Sequence, residues 1–371
     1  MKIAILSMQK VVNSGSFLQA YGLQHVIENL GHTVIWKDYK KKNINVSKTR
    51  KHKDEQKNYI SKAEMALKCI FNTAYRNRVR AGRVMKDFYV RYPQWLTESN
   101  IIDATSVNDA FDCLVIGSDE VFNLCQFIES SYPIEIPWEL LGKGFENHKI
   151  ISYAASAGQT NISKLRNYEM LDMYKECLAK FYSISVRDSN TKNIMNELGF
   201  ESNLHIDPVL LYDFHDVELC RKVKEPYILV YAYEFRITTD EAIEIKKYAR
   251  KYNKRLICVN FMQDFCDEMI VISPLEMLSY FKYADYVITD TFHGAVLSMK
   301  YNSQFAVYIR KSNENKLRDL LESFNLTDRI IENGLTLENI LNCKWNYDEF
   351  NEELLKKQYE ALDYLKRGLQ S

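Results

Sequence analysis

Ala284-Asp285-Tyr286-Val287-Ile288-Thr289-Asp290-Thr291-Phe292-His293-Gly294 passes within a few residues from an apolar run to a polar corner. Tyr286–Thr289 reads as a strand buried on both faces. Asp290 and Thr291 form the turn, and the spacing from His293 to Tyr301 predicts a helix. A strand that runs straight into a helix is the unit from which parallel sheets with covered faces are built. The corner also gathers an imidazole, hydroxyls and the unpaired N–H groups of a helix start. Such a point suits an anion and the movement of a proton.

The same alternation extends in both directions. Lys2–Leu6 predicts a strand and Phe17–Gly31 a helix, followed by strands at Thr33–Trp36, Cys113–Ile116 and Lys149–Tyr153. Leu165–Leu178 reads as a helix, Phe181–Val186 as a strand and Ser189–Leu198 as a helix. The pattern weakens from Asp207-Pro208 to Pro226, where a domain junction is expected. A second series begins at Tyr227–Tyr231. It continues with helix Asp240–Tyr252, strand Arg255–Val259, helix Pro274–Phe281, the opening unit, strand Gln304–Ile309 and helix Lys316–Phe324. The expected architecture is α/β, with two Rossmann-like domains facing across a cleft. The first covers 1–213 with a basic helical insertion at about 40–95, the second covers 225–345, and a terminal helix occupies 349–371. Ligands of such sheets sit beyond the carboxyl ends of the strands.

The 371 residues have a formal net charge of zero, 46% hydrophobic and 26% charged residues, so a large core can form and no nucleic-acid partner is indicated. The eight cysteines contain no Cys-x-x-Cys pair and read mostly as buried thiols of a reducing compartment. The N-terminus starts directly with a strand, and no run of 18 apolar residues occurs, so a cytoplasmic protein is expected. Between Lys40 and Arg91, sixteen Lys and Arg face four Asp and Glu. This stretch reads either as solvated helices or as a basic face for the inner membrane surface or a pyrophosphate-linked substrate.

Five loops at predicted strand ends carry the candidate chemistry. Asn13-Ser14-Gly15-Ser16 would let backbone N–H groups approach a ligand, or is a tight turn with a serine cap. In Gly117-Ser118-Asp119-Glu120, Asp119 would accept from or deprotonate a hydroxyl, or would cap a helix. Arg187, in Ser185-Val186-Arg187-Asp188, can grip a carboxylate or phosphate, or pairs with Asp188 or another neighbour. His293 is the candidate acid. The loop from Arg310-Lys311 to Lys316 and Arg318 offers further cations, or is a solvated helix start. There is no Asp-x-Asp, Walker loop or His-x-x-x-His pair, so metal-free catalysis by Arg, Lys and His is expected.

Six segments in order resemble the polysaccharide pyruvyl transferase family. They are Asn13–Gln24, Val115–Asn123, Tyr153–Gly158, Ser185–Asp188, Asp207–Leu211 and Thr289–Gly294. The resemblance implies a fold like the GT-B glycosyltransferases. It also implies transfer of a pyruvyl group from phosphoenolpyruvate to two hydroxyls of a saccharide, lipid-linked or free, as a ketal in cell-surface polysaccharide biosynthesis. No cofactor beyond that co-substrate is implied. Arg187 and His293 fall on the family's donor-associated positions, with Asp119 the candidate base. Thr291 and Gly294 complete the donor segment, while Asn13, Ser14, Gly15, Ser16 and Ser118 join Asp119 on the acceptor side. Many members carry an arginine where this chain has Thr291, and Lys316, Arg318 or Arg310 would replace that cation. The alternatives are a GT-B glycosyltransferase using a nucleotide sugar and a non-catalytic sugar-binding protein of the same fold.

Overall fold

The computed structural model describes residues 1–40, 42–44, 73–102, 110–130, 134–217 and 219–370. Within the basic stretch the sequence pattern predicts a helix at Ala63–Phe71; that helix and much of the stretch 40–91 lie outside these residues.

Two parallel sheets dominate. The first has the order β2-β1-β4-β6-β7-β8, from β1 (Lys2–Leu6), β2 (Thr33–Lys37), β4 (Cys113–Asp119), β6 (Lys149–Ala155), β7 (Ser185–Val186) and β8 (Asn203–Leu204). The antiparallel pair β3 (Lys42–Ile44) and β5 (Ile134–Ile136) is separate from it. The second sheet has the order β11-β10-β9-β12-β13, from β9 (Tyr227–Tyr231), β10 (Arg255–Val259), β11 (Glu268–Ile270), β12 (Tyr286–Thr289) and β13 (Phe305–Val307). Ile3 to Leu6, Leu114 to Ile116, Tyr227 to Tyr231 and Val287 to Thr289 are all essentially buried. Unbroken apolar runs of this kind are what strands covered on both faces require.

Both sheets reverse their winding beside their first strand, β1 next to β4 and β9 next to β12. A crevice opens at such a switch point beyond the carboxyl ends of the strands. The loops that leave these four strands carry Asn13–Ser16, Asp119, Tyr233 and Asp290–His293, which fixes where a site can form.

Several boundaries differ from the sequence expectation. The first helix runs Ser14–Asn29, because Asn13 rather than a serine caps it: Asn13 Oδ1 accepts from the N–H groups of Gly15 (2.7 Å) and Ser16 (3.3 Å). The helix expected at Leu165–Leu178 is two, Ile162–Asn167 and Leu171–Leu178. Glu169 between them has φ of 60°, which a helix cannot continue through. The strand expected from Phe181 pairs regularly only at Ser185–Val186.

Helix Thr73–Glu98 buries Phe88, Tyr92 and Trp95, and Tyr92 meets Phe17 of the first helix edge to face. Tyr92 Oη donates to the carbonyls of Gln9 and Asn13, both at 3.1 Å, and so steadies the loop after β1. The last helix, Tyr347–Gly368, crosses back to the first sheet, where Tyr364 Oη donates to the Ser152 carbonyl at 2.8 Å. Among the described residues no helix is long and apolar enough to cross a membrane.

Candidate functional site

The site is built where two helix starts meet across the cleft. Thr291 caps helix Phe292–Lys300, its Oγ1 accepting from Gly294 N–H at 2.9 Å. This places His293 in the first turn, 12% exposed, with Nε2 at 3.6 Å from Asp207 Oδ2. On its other side the imidazole lies against the first turn of helix Ser14–Asn29. A Cβ at Gly15 would stand 2.1 Å from His293 Nδ1, so only glycine permits the approach.

Asp207 joins the two halves of the site. It caps the short helix Pro208–Leu211 through Val209 N–H (2.9 Å) and is fully buried. Arg187, which follows β7, donates from Nη1 to Asp207 Oδ2 at 2.7 Å and is itself only 3% exposed. The Arg187 guanidinium also lies 4.4 Å from the centre of the Phe292 ring, while Nη2 stands 3.9 Å from Asp119 Oδ1. Burial would raise the Asp207 carboxyl, but His293 and Arg187 outweigh it and hold it at about 2. Burial likewise opposes the charge on Arg187, and Asp207 and Asp119 more than restore it.

Asp119 ends β4 with φ of 80°, so it is a strand terminus and not a helix cap. It accepts from Ser16 Oγ at 2.5 Å and from Glu120 N–H at 2.9 Å. Lys316, from helix Glu314–Glu322 of the second sheet's half, donates to Glu120 Oε1 at 2.6 Å. These groups line a cavity of about 200 Å³ that contains Asn13, Ser16, Asp119, Arg187, His293 and Lys316, with Tyr233 and Phe292. A second cavity of about 330 Å³ shares Arg187, Phe292 and Lys316 but lacks His293 and Asp119. The first therefore brings the candidate acid His293, the candidate base Asp119 and the cations Arg187 and Lys316 together.

The remaining candidates stand apart. Arg310 is engaged by Glu241 at 2.8 and 2.7 Å and by Asp290 at 3.4 Å. Arg318 is held by Glu332 at 2.9 and 2.6 Å. Thr291 is buried and committed to its cap, Gly294 packs under Thr289 Oγ1, and Ser14 Oγ accepts from Asn260 of the opposite half at 3.0 Å. Ser118 is fully buried, its Oγ accepting from Asp119 N–H at 2.7 Å. Asp188 caps helix Ser189–Leu198 and leaves Arg187 to Asp207. Asp207, Glu120 and Tyr233 were not singled out as site residues from the sequence. The one local signal was Asp207 directly before Pro208, an acidic cap ahead of a proline at a helix start.

Among curated proteins no sequence relative matches this chain. Solved structures of similar fold include UDP-GlcNAc 2-epimerase from Neisseria meningitidis bound to UDP-GlcNAc, 10% identical, with a TM-score of 0.50 over 100% of this chain and 99% of that one. They also include a putative UDP-N-acetylglucosamine 2-epimerase from Listeria monocytogenes, 9% identical, with a TM-score of 0.48 over 100% and 91%. The glycotransferase of kitacinnamycin is 9% identical, with a TM-score of 0.48 over 100% and 99%. The fold is the GT-B-like two-sheet α/β arrangement that the Neisseria meningitidis epimerase shares. The family model for polysaccharide pyruvyl transferase matches residues 13–312, which include Asn13, Ser16, Asp119, Arg187 and His293 of the cavity and stop short of Lys316. The chain belongs to the polysaccharide pyruvyl transferase family.

Proposed function

We propose that the protein moves the pyruvyl group of phosphoenolpyruvate onto two hydroxyls of a saccharide, as a ketal, in the assembly of a cell-surface polysaccharide. The observation that carries this reading is the Asp207-centred cluster, which sets Arg187 at 2.7 Å and His293 at 3.6 Å from one buried carboxylate while both line the cavity. Arg187 grips the donor carboxylate or phosphate. His293, as imidazolium, gives a proton to the methylene carbon, and the adjacent carbon becomes oxocarbenium-like. A sugar hydroxyl adds there while Asp119 takes its proton. Phosphate leaves with the C–O bond electrons and takes up the proton held by Asp119, and the second hydroxyl closes the ketal as its proton returns to His293. Each turnover consumes one phosphoenolpyruvate and one diol and releases one phosphate. Holding both substrates in one cleft removes the entropic cost of a bimolecular encounter, an effect worth up to roughly 7–11 kcal/mol in favourable systems.

Incubation with phosphoenolpyruvate and lipid-linked or free galactosides should release phosphate and yield an acid-labile pyruvyl ketal. In D₂O the pyruvyl methyl group should carry one deuterium. No phosphate release with any acceptor overturns the reading. Thermal stabilisation by a nucleoside diphosphate and none by phosphoenolpyruvate would favour a nucleotide-sugar glycosyltransferase instead.

A lipid-linked acceptor agrees with peripheral contact at the inner membrane face. Helix Thr73–Glu98 buries Ala81, Met85 and Phe88 and leaves Arg80, Arg83 and Lys86 exposed, with Tyr89 and Val90 between them at 56% and 67% exposure. Basic side chains beside exposed apolar ones suit an anionic bilayer surface. Binding to anionic vesicles should fall steeply as salt rises, since exposed charges are screened over about 10 Å at 0.1 M. Binding that is absent or insensitive to salt removes this proposal.

A further inference from the structure

We infer that Lys316 supplies the second positive charge for the anionic donor, and that Glu120 competes with the donor for it. The inference rests on the phosphoenolpyruvate reading above and assigns how this chain discharges the donor's second anionic group.

A donor bearing both a carboxylate and a phosphate meets a wall with Arg187 and Lys316 beside Asp119 and Glu120, and Asp207 holds Arg187 from outside that wall. Each of the two cations is already paired with a carboxylate, so a multiply charged anion gains little until one pair opens. The Arg187–Asp207 pair is not the one. Both partners are buried, at 3% and 0% exposure, and parting them leaves an uncompensated charge out of water. Asp119 is tied by Ser16 and by Glu120 N–H.

The Lys316–Glu120 pair differs in each respect. Its side chains are 21% and 20% exposed. Glu120 keeps a second partner, Asn123 Nδ2 at 2.6 Å on Oε2, and is not stranded if the lysine turns away. The ammonium has three donors, and among the described residues only Glu120 accepts a hydrogen bond from it. Glu120 is ionised at any working pH, because Lys316 and Asn123 overcome its burial and bring it down to about 2. It is therefore a standing competitor for the lysine. The pair also spans the cleft: Glu120 follows β4, and Lys316 arrives from the half that carries His293. A donor that draws Lys316 inward is thereby held by both halves at once.

Competition and simple bracing predict opposite signs for one substitution. Phosphoenolpyruvate binding to the intact protein is measured by titration calorimetry, with melting curves to verify folding. Lys316→Met should weaken binding by about 10- to 100-fold, the worth of a hydrogen bond between charged groups. Lys316→Arg should recover most of that loss. Glu120→Gln, which keeps the bond to Asn123 and removes the rival charge, should tighten binding about 2- to 5-fold. The KM for phosphoenolpyruvate should follow the same order while the acceptor KM stays constant. If Glu120→Gln weakens donor binding as Lys316→Met does, the pair is a brace and the inference is overturned. Equal binding by wild type and Lys316→Met overturns it too, with the donor reading intact. Absence of phosphoenolpyruvate binding by the wild type defeats the donor reading itself and this assignment with it.

Discussion

His293→Asn should lower ketal formation roughly 10²- to 10⁴-fold, the usual contribution of a positioned general acid, while phosphoenolpyruvate still binds. The expectation follows from the division of labour in the cavity. Arg187 and Lys316 carry fixed charge toward an anion, and neither can serve as a proton donor near neutral pH. Among the described residues the only imidazole lining the cavity is His293, on the first turn of a helix whose N–H groups add positive potential. The substitution should be structurally mild. Nε2 at 3.6 Å from Asp207 is beyond ordinary hydrogen-bond reach, so what is lost is its electrostatic support of a carboxylate that Arg187 still holds at 2.7 Å. The unfolding free energy should change by about 1 kcal/mol or less. Single-turnover assays in D₂O give the direct readout, because the variant should incorporate deuterium into the pyruvyl methyl group as slowly as it releases phosphate. A variant that keeps the wild-type rate of deuterium incorporation would remove His293 from the protonation step. A variant that has lost donor affinity and kept its turnover number would make it a binding residue.

What could be read from the sequence was whatever local pattern controls. The strand–turn–helix at Tyr286–Lys300 was visible because burial on both faces demands an uninterrupted apolar run, and the polar corner can only follow it. Arg187 was visible for the same reason, at the end of the apolar Ser185-Val186. The charge partners were not, because their choice is tertiary. Asp188 is adjacent to Arg187 in sequence, yet its carboxylate faces Thr191 N–H as a helix cap, and the guanidinium turns to Asp207. Asp207 itself sat in the stretch with the weakest periodicity, where no local rule marks a buried acid. Arg310, Lys316 and Arg318 looked equivalent along the chain. Only the fold supplies Glu241 to the first and Glu332 to the last, and leaves Lys316 at the cleft. The need for glycine at position 15 was likewise invisible as a specific constraint, because the atom it must avoid belongs to His293 on the opposite half.

Asp207→Ala should destabilise the protein by about 3–5 kcal/mol, the largest stability effect expected of any single site substitution here. The cause is the charge left behind and not the contact removed. Arg187 is 3% exposed, and its nearest other carboxylate oxygen, on Asp119, is 3.9 Å away. The Val209 N–H also loses its acceptor, freeing the start of helix Pro208–Leu211. The pH dependence has a definite sign. The Asp207 carboxyl is held at about 2 against a usual 3.8, so its contribution to stability is complete above the unfolded value and disappears as the pH falls from about 4 toward 2. Asp207→Ala should flatten the wild-type loss of stability over that window, as seen by denaturant titration at each pH. A second variant separates structure from chemistry. Arg187→Met combined with Asp207→Leu removes both charges and fills the space with apolar atoms, a replacement that is often neutral or stabilising for buried pairs. That protein should unfold at a denaturant concentration near the wild type's and show no detectable phosphoenolpyruvate binding. Retained donor binding in the double variant would mean that the pair braces the cleft and that the donor is held elsewhere. A double variant as unstable as Asp207→Ala would place the lost stability in the Val209 cap and not in the stranded guanidinium.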